Sequence, residues 1–292
     1  MRLNHSISWM LLCGVLAFFA PLAHAQANRV AGRIIAAKVT GTVTATNLAD
    51  NTQRRLATND ALTQQTVVTT AAGSSVILVF ENGASLNLGA DSSMSIDEFL
   101  QDPFAAEINV AELKQEPTSS TTKLNLTRGE LVGNVKKLNT AAGSTFTVNT
   151  PVGAAGIRGT TFRIVFRPDA TGKVFFTLSI AEGEVLFTAP AAEGVSVDTG
   201  KEVVLSVDVQ VDATTGSVTV TAPPEVQAPK DMSAETQAAI ASTAQQIVEA
   251  AAAVIIQSVT PATSGTKFSP PADSLPGPTT TNPTTPADGK QG

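Results

Sequence analysis

The chain has 292 residues, with 25 acidic against 19 basic side chains and no tyrosine. A formal net charge of −6 with no basic cluster argues against nucleic acid or anionic lipid as a partner. The only tryptophan (Trp9), the only cysteine (Cys13) and both histidines (His5, His24) fall in the first 24 residues. Beyond that point no disulfide, no imidazole or thiolate zinc site, no Ser-His-Asp triad and no cysteine nucleophile can be assembled.

Residues 7–20 (ISWMLLCGVLAFFA) are apolar, preceded by Arg2 and followed by Pro21 and the small-residue site Ala23-His24-Ala25. This pattern predicts a secretory signal peptide over 1–25, with Ala25-Gln26-Ala27 as a second cleavage point. The run is short for an uncleaved membrane anchor, and the bulky Leu12 before Cys13 argues against a lipoprotein. Loss of Arg2 would leave the mature chain at about −7, in the periplasm or secreted, with no membrane span.

Ile34 to Thr46 (IIAAKVTGTVTAT) reads as one or two strands broken at Gly41, and Gln53 to Asp60 as a polar loop. Thr66 to Thr70 leads into a hairpin, Val76 to Phe80 and Ala84 to Leu88, with Asn82-Gly83 as a two-residue turn of positive φ. That register sets Val79 opposite Leu86 and Ile77 opposite Leu88, with the first strand apolar on both faces. Met94 and Ile96 mark another short strand. Phe99 to Thr122 is acidic and carries Pro103 and Pro117. It reads as a surface excursion with one helical turn near Ala105 to Leu113, and as a place where a partner could bind.

Phe146 to Val165 reads as a strand, a proline-glycine corner and a second strand. Pro151 stops ladder pairing, and Gly153, Gly156 and Gly159 supply turn geometry. With 158–166 as one strand, Arg158 shares a face with Phe162, Ile164 and Phe166. A charge there must have its donors met, which makes Arg158 a structural pin.

Two internal echoes stand out. LNLTRGEL (124–131) matches LSIAEGEV (178–185), and Thr70-Ala71-Ala72-Gly73-Ser74 recurs as Thr140-Ala141-Ala142-Gly143-Ser144. Val203, Leu205, Val207, Val209 and Val211 alternate as a strand, and Gly216 reverses the chain into Val218 and Val220. From Ser233 to Ser258 the period becomes helical, through Ile240, Ala244, Ile247, Ala251 and Val254. That stripe needs a cover, which a groove on the β domain would provide. Beyond Thr260 the tail is rich in Pro and Thr and cannot form a core.

The chemistry-bearing alternatives are weak. Gly153, Gly156 and Gly159 lack the Lys-Ser/Thr ending of a phosphate loop. Glu182 and Glu184 flank Gly183 at a hairpin tip, where carboxylates are solvated rather than paired for hydrolysis. Asp169 to Gly172 and Asp212 to Gly216 read as Asp-initiated turns, without the acidic density of a calcium loop. No enzyme activity, cofactor or metal is expected.

The run from Val148 to Phe162 (VNTPVGAAGIRGTTF) resembles the signature of the FecR domain family, V-x-T-P-x-G-x-x-G-x-R-G-T-x-F. On this resemblance Thr150, Pro151, Gly153, Gly156, Arg158, Gly159, Thr160 and Phe162 are the signature positions. Thr69 to Leu88 and Leu124 to Leu131 resemble two further segments of that family, and the likeness spans roughly residues 40–205.

The expected architecture is all-β: a FecR-like roll, sandwich or short solenoid of hairpins over 26–225, a helical segment over 226–260, and a disordered tail over 261–292. The resemblance implies a periplasmic module that relays receptor occupancy to a sigma-factor system. The family's regulators place an anti-sigma segment before a membrane span. Too few residues precede the leader here for that, so an extracytoplasmic binding or sensing role is expected instead. The rival expectation is a structural envelope protein that binds glycan or associates with itself.

Overall fold

The computed structural model describes residues 29–256, apart from 106, 169–172, 191, 212–217, 222–223 and 225. The expected leader, the tail, and the Asp169–Gly172 and Asp212–Gly216 turns lie outside the described residues.

In chain order the strands are β1 (Val30–Ala31), β2 (Ile34–Thr40), β3 (Val43–Asn47), β4 (Gln53–Arg55), β5 (Ala61–Leu62) and β6 (Thr66–Thr70). Then come β7 (Ser75–Phe80), β8 (Ser85–Leu88), β9 (Ser93–Gln101), β10 (Ile108–Asn109) and the long β11 (Ser120–Asn134). The second half contains β12 (Thr145–Thr150), β13 (Gly153–Ile157), β14 (Thr161–Pro168), β15 (Lys173–Glu182), β16 (Glu184–Thr188), β17 (Val195–Asp198) and β18 (Lys201–Val211). Short β19 (Val218–Val220) and β20 (Lys230–Asp231) lead to the helix α1 (Ala234–Ala252), and β21 (Ile255–Ile256) follows it.

The main pairings make two sheets, beside a small β10–β21 pair. Sheet A runs β4-β3-β6-β9-β11-β12-β13-β16-β17, with β1 also on β9. Sheet B runs β5-β2-β7-β8-β11-β14-β15-β18-β20. Neighbours are antiparallel except β11 and β12. β11 belongs to both sheets: residues 120–128 pair with β9 in A, and residues 129–134 pair with β14 in B. The change comes at Gly129, whose φ is +105°. A β-carbon there would stand 2.0 Å from Ser92 Oγ, so no other residue fits without displacement. The fold is the expected all-β roll of hairpins followed by one helix.

Inward residues of both sheets form one core: Val76, Leu78, Phe80, Leu124, Leu126, Phe146, Val148, Phe162, Ile164, Phe166, Phe176 and Leu178 among them. Val203, Leu205, Val207 and Val209 join it from β18, as their alternation predicts.

A second apolar cluster lies on the outer face of sheet B. Ser233 caps α1 by accepting the Thr236 N–H at 3.1 Å, and Glu235 stands in the first turn. Ile240, Ile247 and Ala251 then bury against Ile77, Val79 and Val132. This is the cover that the helical stripe requires. Among the described residues no helix is long and apolar enough to cross a membrane.

Two local expectations are corrected. First, β7 and β8 are joined through three residues, Glu81 to Gly83, with Phe80 N–H donating to Ala84 O. Only Gly83 has positive φ there; Asn82 does not. The pairing therefore sets Leu78 opposite Leu86 and Val76 opposite Leu88. One residue of slip exchanges the faces, so Ile77 and Val79 turn outward beneath α1. Second, Gln53 to Arg55, expected in a loop, is the edge strand of sheet A.

The excursion from Phe99 to Thr122 is tied down at both ends. β10 pairs with β21, and Val110 to Glu112 make the expected single turn. Buried Glu116 accepts the Ser120 hydroxyl at 2.7 Å and the Asn139 N–H at 2.6 Å. Asn82 Nδ2 donates to Ser120 Oγ and Thr122 Oγ1, which joins this end to the β7–β8 turn.

Candidate functional site: the signature corner

The signature opens as a hairpin. Thr150 pairs with Gly153 across Pro151 and Val152, and the Thr150 hydroxyl donates to Gly153 O at 2.8 Å. Proline suits a turn because it has no N–H to offer a ladder. A β-carbon on Gly153 would stand 2.7 Å from both Phe187 Cζ and Thr188 O, so close packing excludes one.

Residues 153–157, expected as a corner, are the strand β13, held between β12 and β16. Ala155 and Ile157 point into the core. At Gly156 a β-carbon would meet only Leu186 O at 3.6 Å, an ordinary contact. Packing does not demand glycine there.

The chain then crosses from sheet A to sheet B between Ile157 and Thr161. Gly159 has φ +90°, and a β-carbon would lie 2.8 Å from Lys137 Cα. The corner thus packs on the backbone of the Lys136–Lys137 segment. Thr160 is buried and its carbonyl accepts the Val135 N–H at 3.0 Å. Phe162 drops into the core opposite Gly133.

Arg158 does not behave as expected. It is exposed, in the bend between β13 and β14, and its guanidinium makes no hydrogen bond or ion pair among the described residues. The expectation failed because side-chain parity holds only within one strand. Residues 157 and 161 lie in different sheets, and the bend at Gly159 resets the alternation. Of the eight signature residues, Arg158 alone is classed as exposed.

Its surroundings are mixed in charge. Lys136 and Lys137 lie on one side, and Lys137 N–H donates to Lys114 O at 3.4 Å. Burial of the Lys136 stem holds its ammonium below the usual lysine range. On the other side is the Gly183 turn, where a β-carbon would stand 2.8 Å from Gly159 O. Glu182 and Glu184 flank that glycine, both exposed. The turn is no hairpin tip: β15 pairs with β14 and β18, while β16 pairs with β13 and β17. Gly183 carries the chain between sheets, as Gly129 does.

The second echo has structural content as well. Ser74 Oγ accepts the Thr42 N–H at 2.9 Å, and Ser144 Oγ accepts the Ser120 N–H at 3.1 Å. Each serine ends a glycine turn that brings the chain to a new strand.

Sequence reasoning missed the buried carboxylates Glu81 and Glu116, and Arg54 on β4, whose guanidinium reaches Asp60 and donates to Ala61 O on β5 of sheet B. The buried acids carried no signal, since acidic side chains in turns are ordinarily solvated.

Residues 66–186 match the model of the family described as FecR protein. A search of the curated proteins found no match. Among solved structures, two crystal structures titled as a provisionally assigned anti-sigma factor from Parabacteroides distasonis ATCC 8503 align with this chain, at 16% and 17% identity. Both alignments cover 59% of this chain, with TM-scores of 0.39 and 0.38. The chain spans 63% and 62% of the lengths of those proteins. The signature, its hairpin and its crossing all lie inside the matched segment, and residues 66–186 are a domain of the FecR family.

Proposed function

We propose that this protein is a non-enzymatic, extracytoplasmic FecR-domain module that binds a partner in the cell envelope and takes part in signalling across it. The family match over 66–186 supports a regulatory role, and the leader read from residues 1–25 supports export. The observation that carries the reading is Arg158. It follows β13 directly and precedes Gly159, which packs on the Lys137 backbone, and its side chain, which carries five guanidinium donors, is exposed. A partner carboxylate or carbonyl set would find a planar fork of donors there on a backbone set by the bend.

The test compares capture from envelope extracts by the parent and by Arg158→Glu. A protein held by the parent and lost by a variant of unchanged melting temperature supports the reading. Equal capture by both would remove the corner from it.

A structural envelope role has one observation in its favour. The outer face of sheet A carries a row of short uncharged residues across neighbouring strands: Thr46, Val67, Ser95, Asn125, Asn149 and Ala154. Such a face suits self-association or a polar polymer. Sedimentation of the purified chain, with and without cell-wall glycan, separates that role from partner binding.

A further inference from the structure

We infer that the cleft between the edges of the two sheets is a binding site for a small carboxylate on a short aliphatic body. The cleft has a volume of about 330 Å³ and lies where β3 and β4 of sheet A part from β5 of sheet B. That volume is at the lower end of the range for small-molecule sites.

Its walls divide by chemistry. Ala45 and Leu62 form a buried apolar floor, and Ala31 and Ala61 leave open the space that longer side chains would fill. Arg33 and Arg54 stand at the rim, with side chains 39% and 48% exposed. Each rim arginine faces one carboxylate, Arg33 with Glu81 and Arg54 with Asp60, so an anion would be drawn by directed N–H donors of Arg54 rather than by a net positive charge.

Both arginines are held in place. Arg54, on sheet A, lies with Nη1 2.6 Å from Asp60 Oδ2, while Nη2 donates to Ala61 O on sheet B at 2.8 Å. Those contacts use one N–H of each terminal nitrogen and leave the others and Nε–H for a ligand. Arg33 N–H donates to Glu81 Oε2 at 2.9 Å, and its Nε lies 3.5 Å from Glu81 Oε1. A carboxylate at the rim would meet a guanidinium already oriented, and its hydrocarbon would displace water from Ala45 and Leu62. Flat aromatic ligands fit less well, because no aromatic side chain lines the cleft among the described residues.

Hexanoate is the probe, titrated into the full exported chain while the amide resonances of Ala61, Leu62 and Thr63 are followed. The expected result is saturable one-to-one binding with Kd on the order of 1 mM, and at least about tenfold weaker binding of hexan-1-ol and of acetate. Ala61→Phe, at an exposed position of the mouth, should abolish binding at unchanged melting temperature. Arg54→Gln should weaken it about tenfold, and Arg158→Glu should leave it unaltered. No saturable shift up to about 20 mM hexanoate, equal binding of hexan-1-ol, or full binding by Ala61→Phe would each overturn the assignment.

Discussion

The ring of Phe162 occupies the space where a side chain at Gly133 would begin. A β-carbon on Gly133 would stand 2.5 Å from both Cε1 and Cζ of that ring, with Leu86 Cδ2 at 2.8 Å. Gly133 pairs with Phe162 on one side and Leu86 on the other. β11 thus gives up a side chain at the centre of sheet B so that β8 and β14 can meet above it. Gly133→Ala is expected to cost about 1–3 kcal/mol by overpacking. Gly133→Ala combined with Phe162→Leu should cost less than the sum of the two single changes, because both act on one space. Urea melts of the four proteins check this.

Arg158→Ala is expected to change stability by less than about 0.5 kcal/mol, as for an ordinary exposed site. Arg167, exposed and 3.4 Å from Glu130, should behave similarly. Denaturant melts of both variants decide it. A loss of several kcal/mol at Arg158 would restore the structural-pin reading that its exposure removes.

α1 should depend on its buried stripe alone. Ile247→Ala, fully buried against sheet B, is expected to cost about 2–5 kcal/mol. Its exposed neighbour Val248→Ala should stay within about 0.5 kcal/mol. Thermal melts and limited proteolysis of the helix report both.

Glu81 gives a pH dependence of known sign. Burial raises its carboxyl above the ordinary value of 4.5, against the lowering effect of the Arg33 N–H and guanidinium. In the window between the ordinary and the raised value, the folded chain holds the extra proton. Stability therefore falls as pH rises through that window. Glu81→Gln keeps an oxygen for the Arg33 N–H and loses the titration. Urea midpoints from about pH 4 to pH 7 should fall less steeply for the variant than for the parent. Identical slopes would contradict this.

Period-two alternation revealed much of the fold. The core faces of β12 and β18, and the two-faced burial of β7, follow directly from apolar spacing in the sequence. What alternation could not cross was a change of sheet. Arg158 was counted on from Phe162 through Gly159, where the chain leaves one sheet for the other. The β7–β8 pairing slipped by one because a three-residue and a two-residue turn share the same Asn-Gly sequence. β13 was hidden by composition: glycine and alanine are poor strand formers, and this strand is made by β12 and β16 on its two edges. Which of the signature residues faces outward was not legible, because that depends on a bend rather than a period.

The central claim is that the signature is a scaffold that presents Arg158 to a partner. A photo-crosslinking residue placed at position 158, and in a separate variant at Thr147 on the outer face of sheet A, tests this in living cells. The account predicts a discrete adduct with another envelope protein from position 158 and none from position 147. An adduct from position 147 alone, or only self-adducts from either position, would contradict it.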